Sequence, residues 1–187
     1  SNISEMKDRF KDGNHRILCI GRQYGSGGHE VGMRLSTRLN MSYYDNQIIK
    51  MACEHIGRDF SSVDASQADS KKGWLNKTPF SLRKFAGNDE LFFAQSQMIE
   101  EMAKKGDCIF LGRCADVVLE HADIPHISVF IGAPFEERVK HDMACTGASY
   151  DDTVEKVRNM DRARKAYYNY YTGRHWGHSE NYDMCLN

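Results

Sequence analysis

The sequence predicts an α/β fold, a parallel β-sheet with helices on both of its faces. Three observations carry that expectation. Short, uninterrupted apolar runs (ILCI, CIFL and ISVFI) read as strands buried on both sides. Between them lie longer stretches with apolar residues three and four apart, the spacing of amphipathic helices. A glycine-dense turn joins the first apolar run to the first helical stretch. Right-handed crossovers would then bring the carboxyl ends of the strands, and any ligand, to one edge of the sheet.

In chain order, residues 16–21 form the first strand, and 30–39 a helix with Val31, Leu35 and Leu39 spaced four apart. Residues 41–45 give a second short strand, and 46–56 a helix with Ile48, Ile49, Ala52 and Ile56 on one side. Over 57–88 the pattern weakens into a polar stretch including Ser61, Ser62, Ser66, Ser70, Lys71 and Lys72. It is too long for an ordinary connection, so it reads as a surface insertion, an irregular binding segment or a mobile flap. Trp74, Phe80 and Phe85 argue that part of it packs. Residues 89–105 are a strong amphipathic helix built on Leu91, Phe92, Met98, Ile99 and Met102. A buried strand (108–112), a short helix (115–120) and another buried strand (127–131) follow. Pro134 opens a helix carrying Glu136, Glu137 and Arg138; 153–171 is a long helix, and 182–186 a final strand.

The 187 residues, 41% hydrophobic and 27% charged, suit one core over 16–187 with a polar N-terminal extension over 1–15. Lysine and arginine total 25 against 26 acidic residues, a net charge of -1. That balance argues against binding a nucleic acid polymer, while leaving room for a local basic pocket. No apolar run approaches the ~20 residues of a membrane span. The polar first residues lack a signal-peptide core, so a cytoplasmic protein without membrane contact is expected. Six scattered cysteines, with no C-x-x-C pair, read as reduced thiols; Cys19 and Cys108 lie inside apolar runs as small hydrophobes.

The most informative segment is Gly21-Arg22-Gln23-Tyr24-Gly25-Ser26-Gly27-Gly28-His29-Glu30. Between a strand and a helix, such a turn wraps an anion in backbone N–H groups and adds the dipole of the helix start. Phosphate binding by Arg22, Gly25, Ser26, Gly27, Gly28, His29 and Glu30 is the leading reading; a tight turn that merely reverses the chain is the other. The match to a Walker A loop is incomplete. Gly28 stands where the lysine belongs, and Glu30 is read at the place of the Mg²⁺-coordinating Ser or Thr. Arg22 or His29 would have to substitute for that lysine, and His29 is only partly charged at neutral pH. His29 reads equally as an exposed histidine at a helix start.

Three more segments point to a family. FLGRCADVVLEHA resembles the strand–GRD–helix segment of bacterial cytidylate kinases, VFIGAPFEER their next strand and the opening of the lid, and Asp161-Arg162-Ala163-Arg164 the D-x-x-R returning from the lid. With YGSGGHEVG, YYD, AYYNYYTGRHWG and NYDMCLN, the chain from Ile17 to its last residue resembles the bacterial cytidylate kinase-like family. The resemblance implies a P-loop NTPase fold of the nucleoside monophosphate kinase type. A monophosphate-binding insert would cover 57–88 and a lid about 134–164. It implies transfer of the γ-phosphoryl group of ATP, with Mg²⁺, to a nucleoside monophosphate, CMP or dCMP first. Arg113 and Arg164 would grip the acceptor phosphate, and Arg138 would close from the lid onto the transferring group. Asp116 and Asp161 would contact the acceptor, and Asp45 would orient acceptor or metal. Forked guanidiniums suit such a site because they bind phosphate oxygens bidentately.

The sequence also departs from the family's pattern. Cys114 follows Arg113 where the GRD aspartate belongs, with Asp116 two places later, and YYDNQIIKM replaces D-S-G-x-x-Y-R. A nucleotide-binding regulatory module with little transfer, and a small-molecule kinase on the same fold, are the rival readings. Arg138 could instead be a helix charge paired with a nearby glutamate, and Arg162 is assigned to a solvated face. The aromatic tail from Tyr167 to His178 is read as core packing with the helix ending at Gly173, rather than a base-stacking platform. His175 and His178 have loose metal spacing, but no clustered ligands accompany them.

Overall fold

The computed structural model describes residues 3–11, 13–59 and 89–187. All but the first three residues of the expected insert at 57–88 lie outside the described residues. Five strands, β1 (Ile17–Arg22), β2 (Ser42–Tyr44), β3 (Cys108–Leu111), β4 (Ile127–Ile131) and β5 (Met184–Leu186), form one parallel sheet in the order β2-β3-β1-β4-β5. The first-made strand is central, and its register sets the ligand edge: Ile20 lies opposite both Leu111 and Val129. Gly21 and Arg22 therefore emerge beside Gly112 and Arg113 at the carboxyl ends of the strands.

Alternation along the strands builds a core on each face. Ile17, Cys19, Cys108 and Phe110 pack with residues of α3 (Gln47–His55), α4 (Asp89–Lys105) and α5 (Ala115–His121), among them Ile48, Ala52, Leu91, Ile99 and Leu119. Ile20, Ile109, Leu111 and Val129 form the second core, against Leu35 of α2 (Gly28–Leu39). The α/β expectation with helices on both faces holds. Cys19, Cys53, Cys108 and Cys114 are buried.

Two helices, α6 (Phe135–Thr146) and α7 (Tyr150–Thr172), occupy the stretch expected as a lid. α7 starts three residues before the expected 153 because Ser149 caps it, its side chain accepting from the N–H of Asp152. The aromatic tail packs. Tyr171 stacks on Phe92 with centroids 4.0 Å apart, and Phe130 meets both Trp176 (5.3 Å) and Tyr182 (5.0 Å). Tyr182, expected to begin the last strand, serves that packing instead, and β5 starts at Met184.

The N-terminal stretch is more than a polar extension. It forms α1 (Ile3–Asp8), buries Met6, and sends Arg9 into a bidentate pair with Asp183, both contacts 2.7 Å, plus a bond to the His126 carbonyl. Asp183 also accepts from the N–H and hydroxyl of Ser128, which ties the approach to β5 onto β4. Charge-assisted bonds of this kind contribute about 1–3 kcal/mol together with their desolvation terms. Arg9→Ala is therefore expected to lower Tm by a few degrees, about 2–4 °C per kcal/mol for a chain of this size, in a thermal melt. An unchanged Tm would mean that the N-terminal segment does not dock.

Candidate functional site

The glycine loop leaves β1 after Arg22 and enters α2 at Gly28. Gly25 (φ 76°) and Gly27 (φ 77°) take left-handed backbone, which glycine adopts without steric cost. A Cβ on Gly25 would also lie 2.6 Å from the carbonyl oxygen of Arg138, so only glycine lets the loop press against α6. The Ser26 hydroxyl donates to the Gln23 carbonyl (2.8 Å), and the Gln23 side chain accepts from Ala133 N–H (3.1 Å) beyond β4. The first-turn N–H groups of α2 lack intrahelical partners and suit an anion.

Tyr24, inside the loop, is gripped from four sides. Its N–H donates to Asp161 (2.7 Å), its carbonyl accepts from Arg138 (3.0 Å), and its hydroxyl donates to Asp142 (2.9 Å). Lys156 (4.8 Å) and Arg164 (5.3 Å) both lie over its ring. Arg138 and Asp161 also pair directly at 2.6 Å, both largely buried, and Arg138 Nε donates to the Ala133 carbonyl. Arg138, expected to close from the lid onto the transferring group, and Asp161, expected to contact the acceptor, are here engaged with each other and with the peptide of Tyr24. Arg162, assigned to a solvated face, is exposed.

At the end of β3, Gly112, Arg113 and Cys114 have φ of 74°, 63° and 57°, three left-handed residues in succession. For the two that are not glycine this costs about 1–2 kcal/mol each. The turn is held by Asn46, which accepts from Arg113 Nη2 (2.7 Å), and by Gln95, whose amide reaches the Arg113 carbonyl (3.3 Å). Asp116 follows in α5, buried and accepting from the Tyr168 hydroxyl (2.8 Å). Burial pushes its carboxyl above the usual range, against that hydrogen bond.

Two hollows result. One of about 330 Å³ is lined by Arg22, the residues from Gly25 to Glu30, and Asp45. The other, about 120 Å³, is lined by Arg113, Asp116, Tyr167, Tyr168 and Trp176 among others. Arg22, Asn46 and Arg164 line both. The structure thus brings together every expected glycine-loop residue with Asp45, and Arg113 with Asp116, joined by Arg164. Arg138 and Asp161 line neither hollow. His29 is half-exposed, 3.0 Å from the Tyr43 hydroxyl and 3.5 Å from Asp45, and Glu30 lies 3.4 Å from His141. Sequence reasoning missed Asn46, Tyr24, Gln95, Asp142 and Lys156. Only Asn46, next to Asp45, and Tyr24, inside the loop, had a local signal. Among the described residues no group of three His, Cys, Asp or Glu side chains is arranged to hold a metal ion.

A model of the cytidylate kinase-like family matches residues 17–187. No curated protein matches the chain. Among solved structures, an uncharacterized protein from Eubacterium ventriosum is similar at 25% identity and a TM-score of 0.66, over 91% of this chain and 86% of that one. The protein TT1252 from Thermus thermophilus has 19% identity and a TM-score of 0.55, over 92% and 88%. A shikimate kinase from Bacteroides thetaiotaomicron has 14% identity and a TM-score of 0.52, over 92% and 85%. The fold is that of the P-loop kinases, of the nucleoside monophosphate kinase type.

Three substitutions check this architecture. Asp161→Ala leaves Arg138 buried without its partner and is expected to cost about 3–5 kcal/mol. In a double-mutant cycle with Arg138→Met, the combined loss should be smaller than the sum; additive losses would deny the pairing. For Asp116 the folded pKa lies above the ordinary 3.8, so its contribution to stability is present below that value and is lost as pH rises through the folded pKa. Asp116→Asn keeps an oxygen for Tyr168 and removes the charge. Its Tm relative to the native chain should rise from acid towards neutral pH and then level; a pH-independent difference would contradict this.

Proposed function

This chain belongs to the cytidylate kinase-like family, and on that footing we propose that it transfers the γ-phosphoryl group of ATP to a nucleoside monophosphate, with CMP or dCMP the expected acceptor. The observation that carries the reading is the meeting of a glycine-loop cleft and an arginine-lined cavity along Arg22, Asn46 and Arg164. Phosphoryl transfer depends almost wholly on positioning and on neutralising charge, and these walls supply both.

In this reading the amides from Gly25 to His29 hold the donor phosphates. Arg113, aimed by Asn46, holds the acceptor phosphate, and Arg164 spans the two. Arg138 and Asp161 act at one remove, by fixing the Tyr24 peptide. Asp45, 20% exposed at the end of β2, is the carboxylate that would hold Mg²⁺ together with phosphate oxygens, a set that suits this ion. Bound there, Mg²⁺ would supply further neutralisation of phosphate charge. The loop differs from a Walker A sequence. With Gly28 at the lysine position, the residue directly after it is His29, so the hydroxyl's place belongs to His29 rather than to Glu30. The absent lysine is what favours the second reading, a nucleotide-binding module with little transfer. Among the described residues no helix is long and apolar enough to cross a membrane.

A coupled ADP-release screen with CMP, dCMP, UMP, AMP, GMP and several non-nucleotide alcohols tests the proposal. Turnover with one monophosphate is expected, reduced about 100-fold or more by Arg113→Ala. Turnover on an alcohol alone would make the chain a small-molecule kinase. Tight ATP binding with no turnover on any acceptor would leave the binding module.

A further inference from the structure

A glycine at position 28 removes the cation that a Walker A loop carries there, yet the space above it is filled. A Cβ built on Gly28 would lie 2.6 Å from Arg22 Cβ and 2.9 Å from Arg22 Cγ. The stem of Arg22 therefore runs over the first residue of α2, where the side chain of a lysine at 28 would begin. A second glycine extends the groove: a Cβ on Gly112 would collide with Arg22 Nη1. The guanidinium consequently lies against the turn that carries Arg113, with Nη2 4.0 Å from Asp45 Oδ1 and only 15% of the side chain exposed. Arg22 lines both hollows, whereas His29, the other candidate cation, lines only the glycine-loop cleft and is occupied with Tyr43 and Asp45.

We propose that Arg22, reaching from the end of β1 through the groove left by Gly28 and Gly112, is the catalytic cation that stands in for the missing loop lysine between donor and acceptor phosphates. The inference rests on the phosphotransfer reading above. In the step, the bond from the γ-phosphorus to the β,γ-bridging oxygen breaks, a bond to an acceptor phosphate oxygen forms, and ADP departs with the electron pair. Arg22 donates hydrogen bonds to oxygens that gain charge and gives up no proton, which suits a guanidinium that stays charged at all working pH values. Its fork can bridge oxygens on two groups, which a single ammonium does less well. Asp45 balances its charge until phosphates arrive. The glycine at 28 is then the complement of the arginine at 22, since the two side chains could not share the space.

The test is a charge transplant. In single turnover with the acceptor found by the screen, Arg22→Ala is expected to lose about 100-fold or more. The double variant Arg22→Ala with Gly28→Lys, which returns a lysine to the emptied groove, should regain at least about tenfold over Arg22→Ala. Gly28→Lys alone should be impaired, because the native arginine obstructs it. Should Arg22→Ala unfold, Arg22→Gln keeps the stem over Gly28 and removes only the charge, with the same loss expected. A folded Arg22 variant within about threefold of the native rate overturns the inference, as does a folded double variant no faster than Arg22→Ala. If the native chain turns over no acceptor, the phosphotransfer reading fails on its own. Calorimetric binding of inorganic tripolyphosphate then decides for Arg22: about tenfold or weaker binding by Arg22→Gln supports its phosphate role, and unchanged affinity overturns it.

Discussion

The site depends on one buried ion pair, Arg138 with Asp161, and on the peptide of Tyr24 held by both. Two glycines in left-handed backbone give the loop its shape but little rigidity, since glycine has the most conformational freedom to lose. In the proposed reading this loop presents a row of amides to an anion, and those amides need to be fixed from outside. Arg138 on α6 and Asp161 on α7 do this, and the Tyr24 ring adds a flat surface on which Lys156 and Arg164 of α7 bear. Neither charge of the pair tolerates burial alone, so the loop and both helices are stabilised as a unit.

The second constraint is the left-handed run from Gly112 to Cys114. Its strain is tolerated because β3 is buried at every position, and because Asn46, just before α3, holds the Arg113 guanidinium while Gln95 of α4 holds its carbonyl. The result is an arginine whose backbone is aimed rather than flexible. Preorganised charge is more effective for phosphate chemistry than charge on a mobile side chain, since no reorganisation accompanies the reaction.

Much of this was legible in the sequence because its causes are local. The apolar runs of β1, β3 and β4 announce strands buried on both faces, and the glycines between β1 and α2 announce a tight turn from strand to helix. Arg113, Arg164 and Asp45 came from motif resemblance and do lie along the two hollows. The contacts of Arg138 and Asp161 with Tyr24 were not legible, because they join residues 114 and 137 positions apart, which no periodicity encodes. The left-handed Arg113 was hidden too, since a non-glycine residue gives no local sign of positive φ. Docking of α1 was missed for the same reason: Arg9 and Asp183 are 174 residues apart, and a polar segment carries little apolar signal.

The central place of β1 has a consequence for how the chain comes off the ribosome. Its partners in the sheet, β3 and β4, lie roughly a hundred residues downstream. At about 5–20 residues per second, the apolar strand ILCI therefore waits several seconds with both edges unpaired. The topology that gathers the ligand-facing turns along one edge also leaves the nascent chain exposed to aggregation until its second half is made.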